Sequence, residues 1–198
     1  MRETTIRIKN KIITILSIAV QLVRSIFYRL FSTAKVVGRP KCNQPLQTAG
    51  QGLIQVMDNV NIGVRQSPFF FSTYAYLEAR YPTAKIMIGE GTFINNNFCA
   101  IAENSSIEIG RYVLIGTNVE IINSDFHGLH ASQRNISKAE WSKPIVIEDN
   151  VFIGSNVRIL KGVAIGAGSV IANSAIVTHN IPAGVIAGGI PARILKVI

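Results

Sequence analysis

From residue 147 the chain places Ile147, Ile153, Ile159, Ile165, Ile171 and Val177 six residues apart without a slip. No α-helix or flat sheet repeats every six residues. Four places after each of these comes a branched or small residue, as at Val151, Val157, Val163, Ser169 and Ala175, with Gly154 and Gly166 at intervening corners. Each hexad is therefore one short strand plus one tight turn, and such units stack into a solenoid. Earlier hexads occur at Ile88 and Ile94 and again at Ile109, Ile115 and Ile121, with Val113 and Val119 in the second inward slot. Passing from Ile88 to Ile109 needs a three-residue break in phase. The step from Ile121 to Ile147 does not fit whole hexads either, so residues 123–146 leave the coil at least in part. An excursion from a regular scaffold is where function usually sits.

A chain of 198 residues with 48% apolar content can bury a sizeable core as one domain. Its two cysteines, Cys42 and Cys99, are far apart and have no partner at metal-ligand spacing, so neither a disulfide nor a zinc site is expected and a reducing compartment is the default. Cys99 is expected to pack in or near a coil as a small hydrophobe. Charge is concentrated at one end. Residues 1–41 carry nine Lys or Arg against Glu3 alone, leaving +1 for everything beyond. A nucleic-acid partner inferred from whole-chain charge would thus be misplaced.

That basic segment is also apolar. Twelve uncharged residues run from Ile12 to Val23, followed by Ile26, Phe27, Tyr28, Leu30 and Phe31 beyond Arg24. A bilayer span needs about twenty such residues, and no small-residue cleavage site follows, so a membrane span and an exported precursor are both disfavoured. An interfacial basic helix over residues 1–41 fits better, with packing on the solenoid or a neighbouring subunit as the alternative. Residues 42–84 are expected to form capping or irregular β coils. There Phe69, Phe70, Phe71, Tyr74 and Tyr76 serve as core or cap.

In Asn123-Ser124-Asp125-Phe126-His127-Gly128 a hexad ends and a histidine follows an aspartate by two residues. Imidazole titrates near neutrality, and a hydroxyl is a weak nucleophile unless a base takes its proton as it attacks. His127 is the candidate general base. Asp125 would hold its tautomer, bind acceptor hydroxyls or cap the turn. His130 is the rival histidine, or a loop or substrate contact.

The hexads over residues 85–198, together with the ending Asn180-Ile-Pro-Ala-Gly-Val-Ile-Ala-Gly-Gly-Ile-Pro-Ala-Arg193, resemble the hexapeptide-repeat acyltransferases. Among these the maltose, galactoside and exopolysaccharide O-acetyltransferases are the most similar. The resemblance implies an all-β solenoid, a left-handed parallel β-helix with three hexads per coil, carrying here an N-terminal helix and an excursion loop. It implies direct transfer of acetyl from acetyl-CoA to a sugar hydroxyl with His127 as base, and no metal. It carries Asn96 to the oxyanion or the CoA thiol end, though the triple asparagine 95–97 also suits an amide ladder. Ser155 is carried to the pantetheine arm, or is a plain turn residue, and Asn173 to a backbone contact along the groove. Thr178, Arg193 and Lys196 correspond to contacts with the CoA phosphates, where cations suit a polyanion. His179 stands where the family often has lysine, which would weaken that contact.

A homotrimer is implied as well, with His127 of one subunit facing Ser155 and the tail of another. The acceptor expected is a surface glycan or its lipid-linked precursor, met by a cytoplasmic enzyme peripheral at the inner membrane face. A soluble small sugar or an antibiotic is the enzymatic alternative. A non-catalytic scaffold is the other. A zinc hydratase of the β-helical kind would need three converging histidines.

Overall fold

The structure, a computed structural model, describes residues 2–198. Helix α1 (Arg2–Leu30) precedes a parallel β-helix whose rungs lie on three faces. Face A contains six strands, from Val36–Val37 to Ala164–Ile165, and face C six, from Leu46–Gly50 to Ile176–Val177. Face B contains eight, beginning at Lys41–Cys42 and ending in an antiparallel hairpin of Val185–Gly189 with Ala192–Val197. Register follows the hexads. Ile115 pairs with Ile153, Ile121 with Ile159 and Ile147 with Ile165, so every sixth residue stacks on its equivalent one coil away. All are buried, as are the second-slot residues Val113, Val119, Val151, Val157 and Val163. Burying a branched side chain contributes roughly 1.5–3 kcal/mol relative to leaving it exposed, so the interior ladder is the principal stabilising term.

Corners rely on residues that tolerate left-handed backbone. Asn97, Asn118 and Asn156 occupy successive B–C corners with φ near 60°, a region asparagine visits more readily than bulky residues. Their side chains form a ladder, Asn97 Nδ2 donating to Asn118 Oδ1 and Asn118 Nδ2 to Asn156 Oδ1, each at 2.8 Å. The expected amide ladder exists, but only its Asn97 rung comes from the triple asparagine.

Two boundaries differ from the sequence expectation. The helix stops at Leu30, and Val36–Val37 and Lys41–Cys42 are already rungs, so the solenoid begins well before residue 85. Its early coils contain the buried set Ile54, Val56, Val60, Ile62, Ala75, Leu77 and Ile86. Their six-residue period is hidden because residues 63–74 leave the coil at a B–C corner and the flanking face-C strands are five residues long. In that first excursion Phe70 is buried, whereas Phe69 and Phe71 are exposed.

α1 also departs from expectation. Ile6–Leu30 is long and apolar enough to cross a membrane by length and composition, whereas the count of twelve had stopped at Arg24. The Arg24 guanidinium turns into the protein, donating to the carbonyls of Phe70 at 3.0 Å and Thr73.

Candidate active site

Ile109 and Ile147 are neighbours on face A although 38 apart in sequence, where an uninterrupted coil takes 18. Twenty residues therefore leave the C–A corner. Their neck is closed by Lys143 N–H donating to the Asn123 carbonyl at 2.9 Å. Two short 3₁₀ turns, Ala131–Gln133 and Ala139–Trp141, give the loop its internal order.

A buried carboxylate anchors this loop. Glu103 is 0% exposed and lies in the three-residue break that the hexads require after Ala102. It accepts hydrogen bonds from Ser124 and from Ser137 at 2.7 Å, and Ser142 is 3.5 Å away. Arg80 lies 3.6 Å from the same carboxylate, and its guanidinium also stacks 4.6 Å over the Phe126 ring. Three loop serines and Phe126 thus refer to one ion pair on the preceding coils. A buried charge is tolerable only when paired and hydrogen-bonded in this way.

Phe126 has φ +58°, and His127 N–H bonds the Asp125 carbonyl at 2.6 Å, closing a tight three-residue turn of a rare, strained kind. The turn projects His127 outward, where its side chain is exposed. His127 Nδ1 lies 2.7 Å from the Arg134 carbonyl oxygen. A carbonyl only accepts, so Nδ1 carries the proton and Nε2 keeps its lone pair, the tautomer a general base requires.

The orienting role assigned to Asp125 is not what the structure contains. Its carboxylate accepts from Lys161 Nζ, which also donates to the Trp141 carbonyl at 3.0 Å. The tight turn sends residues 125 and 127 in different directions, so a backbone carbonyl seven residues on takes the aspartate's place. His130 stands at the N-terminal boundary of the first 3₁₀ turn, its Nδ1 2.8 Å from Ser132 Oγ and its side chain making no bond to the turn's backbone.

Gly128 has no room for a side chain. A Cβ there would lie 2.3 Å from Gln133 Cβ and 2.8 Å from the Gln133 carbonyl oxygen. Gly128→Ala is expected to displace His127 and reduce turnover at least tenfold while leaving the thermal midpoint within a few degrees, since the loop lies outside the core. Steady-state kinetics beside a melting curve checks both.

The residues carried over to CoA fall into three groups. Asn96 is 0% exposed: its Oδ1 accepts from Val64 N–H at 2.9 Å, and its Nδ2 donates to the carbonyls of Val64, Ser67 and Pro68. It fastens the first excursion and has no donor left for an oxyanion or thiol, which corrects that assignment. Ser155 and Asn173 stack at the B–C corner, Ser155 N–H donating to Asn173 Oδ1 at 2.8 Å, while Ser155 Oγ meets Thr117 Oγ1 at 3.0 Å. Arg193 comes to the same end of face B, its strand pairing with Gly188, where a Cβ would touch Ala172. Lys196 pairs with Ile186 further along the hairpin. Thr178 and His179 instead follow the last face-C strand and hydrogen-bond each other at 2.8 Å. Thr178 lines a groove with Asp125, Phe126 and Lys161 at the C–A corner.

Within one chain the histidine and the Ser155–Asn173–Arg193 edge are therefore on opposite borders of face C. Cys99 projects outward on that face between Tyr76 and Glu120. Desolvation, then the Glu120 and Glu78 carboxylates, pushes its thiol up to about 12, so at neutral pH it is no nucleophile. Among the described residues no three His, Cys, Asp or Glu side chains cluster as a metal set.

Sequence reasoning missed Glu103, Arg80 and Lys161. The only trace of Glu103 is the phase break in which it sits, whereas Arg80 and Lys161 look like ordinary surface charges until the loop folds over them.

The family described as bacterial transferase hexapeptide (six repeats) matches residues 144–179. The crystal structure of a hexapeptide-repeat-containing acetyltransferase from Vibrio cholerae, complexed with acetyl coenzyme A, is 36% identical and superposes with a TM-score of 0.54. That match covers 71% of this chain and 70% of the Vibrio protein. The galactoside O-acetyltransferase of Escherichia coli is 39% identical over 113 residues, which is 57% of this chain and 54% of that protein. Its Lactococcus lactis counterpart is 32% identical over 131 residues, 66% and 58% of the two chains. The chain spans about half the length of the curated relatives it matches. With its stacked hexads, three faces of parallel rungs and loop at the C–A corner, the chain belongs to the hexapeptide-repeat acetyltransferase family and has that family's left-handed β-helical fold.

Proposed function

We propose that this protein transfers acetyl from acetyl-CoA directly to a sugar hydroxyl, with His127 as the general base. The observation that carries the reading is the imidazole of an exposed His127 held at Nδ1 by the Arg134 carbonyl, which leaves the Nε2 lone pair available. The Vibrio relative crystallised with acetyl coenzyme A and the galactoside O-acetyltransferases supply the donor and the acceptor class. Acetyl-CoA provides an acetyl group already activated as a thioester. His127 Nε2 takes the proton of the acceptor hydroxyl as its oxygen adds to the thioester carbonyl. The imidazolium then returns that proton to the departing thiolate, leaving an acetyl ester and free CoA. No covalent enzyme intermediate is needed.

The exposed B–C corner suits the donor: Ser155 and Asn173 offer neutral polar groups beside the end that carries Arg193, with Lys196 further along the same hairpin, and both are cations fitted to phosphates. Because that edge and His127 are separated by face C within one chain, the site becomes complete when His127 of one copy meets the B–C corner of another, as in a trimer. The acceptor is assigned to a surface glycan or its lipid-linked precursor, an assignment that rests on the character of α1.

Release of free CoA is measured over mono- and oligosaccharide and lipid-linked acceptors, alongside sedimentation velocity. Acceptor-dependent release is expected from a species of roughly 65 kDa, three times the 21.6 kDa chain. Absence of release with every acceptor class while CoA still binds would replace the enzyme by a scaffold.

A further inference from the structure

Helix α1 is inverted. Between Ile6 and Leu30 the only residues that are not exposed are Thr14, Ser17, Gln21, Arg24, Ser25 and Tyr28. Spaced by three and four, they form one stripe, and that stripe is polar apart from the tyrosine ring. It lies against the solenoid. Gln21 Nε2 donates to the Phe70 carbonyl at 2.6 Å, Arg24 to the carbonyls of Phe70 and Thr73, Arg65 to Thr14 Oγ1 at 3.2 Å, and Tyr28 stacks on Tyr74 with centroids 4.3 Å apart. The remaining arc, about 240° at 100° per residue, presents twelve large apolar residues, from Ile8 to Leu30, all at least 45% exposed, and Ile6, in line with the polar stripe but ahead of Thr14, is exposed too. A soluble surface helix does the reverse, turning its apolar stripe of roughly 100° inward.

We infer that this arc docks α1 in the plane of an anionic lipid bilayer, with the solenoid on its water side. Three observations choose this occupant. The first is charge: residues 1–41 carry +8 while the rest of the chain carries +1. Packing several copies of α1 on one another would gather like charge with no acidic surface to meet it, whereas anionic headgroups complement it. The second is the placement of that charge. Arg7, Lys9 and Lys11 precede the apolar stretch and Arg29 ends it, so cations stand at both ends where headgroups are reached by snorkelling. The third is the clasp. A spanning orientation would draw the Arg65–Thr73 loop, bound to α1 along Thr14–Tyr28, into hydrocarbon, where its polar backbone has no partners. An in-plane orientation leaves the clasp in water.

The full chain is tested by co-flotation with vesicles of phosphatidylcholine alone and of phosphatidylcholine with about one third phosphatidylglycerol. The apparent partition coefficient is expected to be at least tenfold higher on the anionic vesicles and to fall at least tenfold with Leu16→Asp/Val23→Asp. Both positions are exposed, Leu16 by 59% and Val23 by 68%, so the melting temperature should hold. Lys9→Glu/Lys11→Glu should remove the preference for anionic lipid while retaining weak binding to neutral vesicles. Equal partition on both vesicle types would overturn the inference. So would unchanged partition of the Asp variant, and if that variant dissociates the oligomer instead, the arc belongs to a second copy. Since the readout is lipid binding, it stands or falls apart from acetyl transfer.

Discussion

His127→Ala is expected to lower kcat for acceptor-dependent CoA release by at least a hundredfold. General-base transfer typically contributes roughly 10²- to 10⁴-fold, so the loss corresponds to about 2.7 kcal/mol or more of transition-state stabilisation. KM for acetyl-CoA should move little, because the imidazole acts on the acceptor hydroxyl and the donor lies along another edge. Two companion variants sharpen the result. Asp125→Asn should cost less than tenfold, because its carboxylate faces Lys161 and not the imidazole, and His130→Ala should stay near the native rate, since that ring meets only the Ser132 hydroxyl two residues on. A His127→Ala enzyme that keeps a tenth of its turnover, or an Asp125→Asn enzyme as damaged as it, would assign the base elsewhere.

Glu103→Ala should be the most damaging substitution outside the reacting groups. It removes the acceptor shared by Ser124 and Ser137 and leaves Arg80 without one of its two carboxylates, the other being Glu78 at 2.6 Å. Breaking a buried pair by deleting one partner typically costs about 3–5 kcal/mol. Because Arg80 keeps Glu78, a loss nearer 3 kcal/mol is expected, visible as a lower urea midpoint with unchanged slope. The loop should then loosen and kcat fall at least tenfold, with KM for acetyl-CoA within about twofold since Ser155 and Asn173 are untouched. Glu103→Gln, which can still accept from the serines, should recover part of both. Native turnover in Glu103→Ala would mean that the loop is held by its neck alone.

The solenoid between residues 88 and 177 is legible in the sequence because its cause is local. Each hexad independently sends one branched residue inward, and stacking repeats that choice, so the period survives in the chain. Residues 36–86 form the same coils yet hide them. There an excursion at 63–74 resets the phase, and the face-C strands on either side of it are five residues long. The candidate base was legible for a similar reason: the 123–146 interruption marked the loop, and the loop contains two histidines of which one follows the truncated hexad directly.

The partners of that base were not legible. Asp125 is the nearest acid in sequence, but a left-handed residue at 126 turns it away and Arg134 supplies the acceptor through its backbone, which no side-chain pattern records. Asn96 matched a ligand position by motif, yet the first excursion closes over it and uses all its hydrogen-bonding capacity. α1 was legible as basic and apolar but not as inverted, because which stripe of a helix is buried depends on what the rest of the chain offers it. Here that was the row of carbonyls at Phe70 and Thr73, which select a polar stripe. By itself, then, the sequence determined everything that depends on neighbours six residues away: the rungs, the corners, the inward ladder and the place where the coil opens. The tertiary structure alone decided what depends on contacts between distant coils, namely the tautomer of His127, the anchor at Glu103, the burial of Asn96 and the outward face of α1.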